Sequence, residues 1–290
     1  MNRYRILHRA AALAFPGSGL LVRALRKVLL AKPKPGMVIT TYHGYTMEID
    51  PVNDAGFEPQ LYYHGTYETG TLQLLERLLP EGGTFIDAGA NIGLMTLHAA
   101  QVVGATGEIH AFEPHPRTYG MLSRNVERNG FTCVTAHPVA LGASAGQATL
   151  YDRDNVGRGG STLHDPGEGK TGMTVEIAVL DAVFSGAADV LKVDVEGHEI
   201  EMLEGARSLL SSPSPPAVIV ECSAGTSGQR EALFDFFAAL PVYKAFRHTT
   251  WKGTTDPLRP ISGRDDLPEH DNIVFLTEPQ QARLGTLILD

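Results

Sequence analysis

From Thr84 to Leu240, short apolar runs alternate with helical periodicities, and this alternation constrains the fold more than any other feature of the 290 residues. "TFIDAGA" has the length of a strand and "GLMTLHAAQVV" that of a helix opening at Ile92 or Gly93. "EIHAFEP" is again strand-like, and "RTYGMLSRNVERNG" is a helix closed by Gly130. "FTCVTAHPVAL" follows as a strand, then "ATLYDRD" and "TVEIAVL" as extended pieces around a glycine-rich loop. "DVLKVDVE" and "PAVIVECS" are strands that alternate with the helices "EIEMLEGARSLL" and "EALFDFFAAL", and "DNIVFLTE" is a last strand able to run antiparallel. Such a chain belongs to the α/β class, with helices on both faces of a mostly parallel sheet.

Upstream, "VITTYHGYTMEID" alternates as a small hairpin, and "ETGTLQLLERLLPEGG" is a helix just before the first core strand. Three parts follow: a basic helical arm over 1–36, a hairpin and helix over 37–80 that cover the site, and the main domain over 81–290. Eight of the 24 basic residues, Arg3 to Lys34, lie in the arm with no acid among them, leaving 16 basic against 33 acidic residues in the body. An acidic body argues against nucleic acid as a partner. Cys133 and Cys222 stand apart in apolar runs, neither a disulfide framework nor a zinc signature, which fits a reducing, cytoplasmic compartment. "GLLVRALRKVLL" reads as a short amphipathic helix, either packed on the body or lying on a membrane surface. The arm is broken by Pro16 and Gly17 and has no run near the roughly 20 apolar residues of a membrane span.

In "FIDAGANIGLMTLHAA" a strand ends at Asp87, a turn holds Gly89, Asn91 and Gly93, and a helix follows. Glycines let a ligand lie close to backbone, and the helix start offers free N–H groups. A dinucleotide fingerprint requires glycine where this chain has Asn91 and Leu94, so an NAD-dependent oxidoreductase is disfavoured. Glu113, ending the next strand, has a carboxylate able to accept from both hydroxyls of a ribose; the plain alternative is a solvated strand end before Pro114.

"GTYETGTLQLLERLLPEGGTFIDAGANIGLMT", "HAFEPHPRTYGMLSRNVERNG", "AVLDAVF", "LKVDVEGHEIEMLEGA" and "VIVEC", in this order, resemble the FkbM family of methyltransferases from about Tyr42 to Cys222, and more weakly to the end. The resemblance implies a Rossmann-like class I methyltransferase sheet of order 3-2-1-4-5-7-6 with the seventh strand antiparallel. It implies S-adenosylmethionine as cofactor, with S-adenosylhomocysteine as product. Asp87, Gly89, Asn91 and Gly93 would hold its methionine part, Glu113 its ribose, and the backbone at Ala140 and Leu141 its adenine. Tyr67 and Glu68 would approach from the preceding helix. Gly157, Gly159 and Gly160 read either as a mobile flap with Ser161 facing the site or as a plain surface loop. Family members methylate hydroxyls of sugars, lipids and polyketides, and some act on nitrogen.

Lys192, Asp194 and Glu196 alternate with apolar residues and so share one face of a strand that should be apolar on both. Unpaired burial of carboxylates is costly, so they are paired or open to a cleft. At the point where a parallel sheet reverses its order, ligands bind outside the carboxyl ends of the strands. His198 and Asp194 are then the candidate bases, with Asp194 also beside the cofactor, Glu196 orienting substrate and Glu221 on the next strand. A blander arrangement has Lys192 and Asp194 as an ion pair, with Glu196 and Glu199 serving the following helix. Asp194, Glu196 and Glu221 are oxygen donors of a kind that suits Mg²⁺, though no spacing demands a metal. His43 and His64 could lid the pocket, His115 follows Glu113 in a turn, and His248 beside Trp251 could shape an acceptor site or lie in a surface loop. The implied function is methylation of a hydroxyl on a saccharide, glycolipid or secondary metabolite; N-methylation and a non-catalytic, cofactor-binding adaptor are the alternatives.

Overall fold

Two basic helices, α1 (Arg3–Ala11) and α2 (Ser18–Leu29), lead the chain. The computed structural model describes residues 2–11, 18–152, 160–164, 167, 171–222, 228–252 and 256–289; Pro16, Gly17, Gly157 and Gly159 lie outside them. A hairpin of β1 (Met37–Thr40) and β2 (Thr46–Ile49) comes next, then α3 (Glu58–His64) and α4 (Thr69–Leu78). The arm packs on this layer. Tyr4 and Leu7 are buried, and the Tyr4 hydroxyl donates to the Tyr62 carbonyl at 2.8 Å. Gly65 lies so close under the Tyr4 ring that an added Cβ would sit 2.2 Å from it. One apolar core runs from Tyr4 through the hairpin and α4 to the sheet, so the arm, the hairpin and the main body share it.

The main block runs β3 (Thr84–Ala88), α5 (Leu94–Val103), β4 (Glu108–Phe112), α6 (Pro116–Asn129) and β5 (Val134–His137), then β6 (Ala140–Leu141), β7 (Gly146–Tyr151) and β8 (Gly172–Ala178). It continues with α7 (Leu180–Val183), β9 (Val190–Val193), α8 (Glu199–Glu204), α9 (Arg207–Leu210), β10 (Ala217–Cys222), α10 (Gln229–Ala238), β11 (Lys244–His248), β12 (Leu258–Pro260), β13 (Asp271–Leu276) and α11 (Glu278–Leu284). Eight strands form one sheet in the order β12-β11-β13-β10-β9-β3-β4-β5, while β6, β8 and β7 make a separate three-stranded sheet. Numbered along the main sheet's own strands, that is 3-2-1-4-5-7-6 with β12 added at the edge. β13 is antiparallel to both its neighbours.

Local chemistry sets the element ends. His115 caps α6, its Nδ1 accepting from the Arg117 and Thr118 amides; Pro116 opens that helix and left-handed Gly130 closes it. α5 is buried almost all round, which suits a helix between the sheet and the N-terminal layer. "EIEMLEGARSLL" forms two short helices that meet at Gly205 and Ala206, where Gly205 lies so close to the Gly142 carbonyl that an added Cβ would sit 2.2 Å from it. The chain leaves β3 toward β4 and β5 on one side, and β9 and β10 lie on the other, so a crevice opens at the carboxyl ends of β3 and β9.

Candidate active site

At this switch point the two strand ends meet backbone to backbone. The Asp194 amide donates to the Ala88 carbonyl at 2.9 Å, and a Cβ on Gly89 would sit 1.8 Å from the Asp194 oxygen. Gly89 has φ +82, so any side chain there is both blocked and strained. Asn91 takes φ +51 and sends its amide to Glu113 Oε2 at 2.9 Å, while the His115 amide reaches Oε1 at 2.9 Å. Glu113 is thus held by backbone dipoles, with no cation against it among the described residues, and burial pushes its carboxyl up to about 7. Each oxygen keeps a second lone pair for a ligand. Asp87 lies fully inside, accepts from the Thr96 hydroxyl at 2.6 Å and is raised by burial; it anchors the start of α5 from beneath the turn.

The end of β9 departs from the sequence reading. The strand stops at Val193, and Glu196 turns into the left-handed region at φ +51, so Lys192, Asp194 and Glu196 do not lie on one strand face. The Thr162 hydroxyl fixes this turn by donating to the Glu196 carbonyl at 2.8 Å. Buried Lys192 places its ammonium 2.8 Å from Asp194 Oδ2. His198 is the N-cap residue of α8 without capping through its side chain; burial lowers its imidazole below the ordinary value, with Glu201 Oε2 3.6 Å from Nδ1. Glu199 is buried, accepts from the Gly197 amide at 2.9 Å, and is pushed up to about 7 by burial.

The residue that sequence reasoning missed is Lys252. It sits in the loop between β11 and β12, 2% exposed, with its ammonium 2.8 Å from Glu68 and 2.6 Å from Glu221. Its amide donates to the Asp271 carboxylate, and its carbonyl accepts from Gly70 at the start of α4. Burial works against the charged lysine, but Glu68 and Glu221 raise it well above its ordinary value. Glu68 itself lies just before α4 at φ +47, not within the helix. Burial also pushes Glu221 well up, helped by Asp194, whereas the upward push of burial on Asp194 is more than offset by Lys192 and Lys252, which hold it at about 2.

These groups wall a cavity of about 610 Å³, within the range of small-molecule sites. Glu68, Gly89, Asn91, Glu113, Ala140, Leu141, Asp194, Glu196 and His198 all line it, with Tyr67, Ser161, Glu221 and Lys252. Asp87 and Gly93 do not: one is buried beneath the turn, and the other caps α5 against Leu122. Nor do the β1–β2 hairpin residues; the N-terminal layer contributes Gly56, Phe57, Tyr67 and Glu68. His43 and His64 line a second cavity instead, His115 is the cap described above, and His248 is buried and does not line the cavity. Lys192 and Lys252 already supply countercharge to Asp194 and Glu221, so the oxygen set weighed for Mg²⁺ does not fit a divalent cation.

Five carboxylates and one lysine line this wall, a negative excess suited to a ligand with positive charge. A family model described as the methyltransferase FkbM domain matches residues 87–246. A hexuronic acid methyltransferase of Haloferax volcanii is 33% identical over 162 residues, covering 54% of this chain and 63% of that protein. The methyltransferase sdnD of Sordaria araneosa is 32% identical over 160 residues, 44% of this chain and 61% of its own length. The chain thus spans about three fifths of the length of the curated relatives it matches. Among solved structures, the methyltransferase FkbM of Methylobacillus flagellatus is 16% identical, covers 94% of this chain and 57% of that one, and has a TM-score of 0.44. A SAM-dependent O-methyltransferase of Thermotoga maritima is 17% identical, with 87% and 80% covered and a TM-score of 0.43. The family model takes in more than half of the residues, including the glycine turn, Glu113, Asp194 and Glu221, and the chain therefore belongs to the FkbM methyltransferase domain family.

Proposed function

We propose that the protein is an S-adenosylmethionine-dependent methyltransferase that acts on a hydroxyl of a saccharide, glycolipid or secondary metabolite. The observation that carries the reading is the acidic cavity at the switch point, in a chain of this family and with a relative named for a hexuronic acid. When bound, the cofactor supplies a methyl group on a positively charged sulfur. Glu113 would accept from its ribose hydroxyls, and the backbone at Ala140 and Leu141 would flank its adenine. Glu68 and Asp194 would face its cationic end, near the Gly89–Asn91 turn. Orienting the acceptor and excluding water contribute much of such a rate, and a positioned base typically adds about 10²–10⁴-fold.

His198 is the proton acceptor in this reading. Its imidazole is neutral at neutral pH because burial lowers it, whereas Asp194, held at about 2, is a weak base. Glu196, on the same wall, would orient the acceptor. The arm fits a peripheral place at a membrane, since Leu20, Leu21 and Val28 of α2 are exposed beside Arg23 and Lys27, and among the described residues no helix is long and apolar enough to cross one. Calorimetry with S-adenosylhomocysteine and with NAD tests the cofactor: binding of the first alone is expected, and binding of NAD alone would remove the proposal. With labelled methyl donor and a hexuronic acid acceptor panel, His198→Asn should lower kcat by about 10²–10⁴-fold while leaving S-adenosylhomocysteine affinity near wild type. Unchanged turnover would strike His198 from the chemistry.

A further inference from the structure

His43 lies in the turn between β1 and β2, Glu76 in α4 and His98 in α5, and the three converge beside the second cavity, of about 590 Å³. Each offers one ligand atom, and these atoms all lie within 4.8 Å of one another. His98 Nε2 stands 3.1 Å from Glu76 Oε1, yet among the described residues neither ring nitrogen of this buried histidine has a hydrogen-bond partner. The two atoms are close without the alignment of a donor and an acceptor. Burying an imidazole with both nitrogens unmet is unfavourable unless something else supplies the bond.

A metal ion bound by one of these nitrogens relieves part of that cost. Bonds of about 2.0–2.2 Å in a tetrahedral arrangement hold neighbouring ligand atoms about 3.3–3.5 Å apart, so His98 and Glu76 already stand near that spacing. The His43 and His98 rings meet edge to face with centroids 4.7 Å apart. Thr66 Oγ1 lies 3.1 Å from His43 Nε2, an outer partner of the kind that orients a ligating ring and leaves its other nitrogen to donate. Two imidazoles and one carboxylate are the donors of open zinc sites, and Glu76 is half exposed and borders the cavity, leaving room for a water or an exogenous ligand.

We propose that His43, Glu76 and His98 form a binding site for a divalent transition metal of the zinc class, tying the N-terminal hairpin to α4 and α5. This site is independent of methyl transfer, but it is not remote from it. Tyr67 and Glu68, just before α4, border both cavities. A metal on Glu76 therefore braces the helix that directly follows two residues walling the candidate active site.

The test uses the full chain, stripped with a chelator and titrated with Zn²⁺ by calorimetry and with Co²⁺ by absorption. One Zn²⁺ per chain, a visible ligand-field band of four-coordinate Co²⁺, and a rise in the unfolding midpoint with Zn²⁺ are expected. Glu76→Gln, at a half-exposed position that spares the core, should weaken binding at least about tenfold and abolish the rise, as should His43→Ala. His110→Ala, which disrupts the separate surface pair His110–His137 beside Glu108, should change nothing. The proposal is overturned if the wild-type chain binds no Zn²⁺, or if binding survives both Glu76→Gln and His43→Ala, whether or not His110→Ala removes it.

Discussion

Glu113 and Asp194 follow strands on either side of β3 and line one cavity, Glu113 buried and Asp194 part-buried, yet their acidities are driven in opposite directions. Glu113 is pushed up to about 7, Asp194 held at about 2. Burial pushes both upward. What differs is the partner: two backbone amides for Glu113, the Lys192 ammonium and the nearby Lys252 for Asp194. Countercharge sorts these two carboxyls into one that titrates near neutrality and one that stays ionised.

The strongest way to break this contrast is to remove the cation that the ionised half shares. Lys252→Met leaves Glu68 and Glu221 buried without it, and stripping one partner from a buried pair typically costs about 3–5 kcal/mol. Urea unfolding should show a loss of that order, with Lys252→Met/Glu221→Gln recovering part of it because one carboxyl left without the lysine is gone. A loss below about 1 kcal/mol would mean that Lys252 only fills space.

Lys252 also shows what could be read in the sequence and what could not. The parallel block was legible because its central strands β3, β9 and β10 are nearly continuous buried runs and its helices carry their own end signals, such as Gly130 after α6. The turn at Gly89 was legible for the same reason: local conformation demands a local residue type. Glu68, Glu221 and Lys252 are far apart in sequence, and a lysine between Trp251 and Gly253 has no period or spacing that marks it as buried. The end of β9 misled for a related reason. Alternation predicts a face only while the strand lasts, and Glu196 leaves it through a left-handed turn that a glutamate gives no sign of. β6, β7 and β8 read as extended, but their separation into a second sheet depends on pairing between distant segments.

The contrast has opposite signatures in pH. The folded chain keeps a proton on Glu113 that the unfolded chain, near 4.5, has released, so its contribution is complete below that value and is lost as pH rises to about 7. Glu199, also about 7, acts in the same sense. Asp194 has the reverse sign: its contribution is complete above the unfolded value of 3.8 and is lost as pH falls toward about 2. Stability measured between pH 5 and 8 should therefore fall by an amount on the order of a few kcal/mol. Glu113→Gln should flatten part of that fall and leave the loss below pH 4 in place. An unchanged slope in this variant would show that the carboxyl is ionised in the folded chain, and the comparison with Asp194 would fail.

The mildest change separates the backbone that holds Glu113 from the side chain next to it. His115 does two things: its amide donates to Glu113 Oε1, and its ring Nδ1 accepts from the Arg117 and Thr118 amides at the start of α6. His115→Ala removes the ring and keeps the amide. It should cost about 1 kcal/mol, the usual loss for a missing N-cap acceptor, with His115→Ser restoring most of it. The slope between pH 5 and 8 should stay as in the wild type, because the amide that shares Glu113 is still there. If His115→Ala shifts that slope as far as Glu113→Gln does, the imidazole and not the backbone governs the carboxyl, and Glu113 would have a side-chain partner just as Asp194 has Lys192.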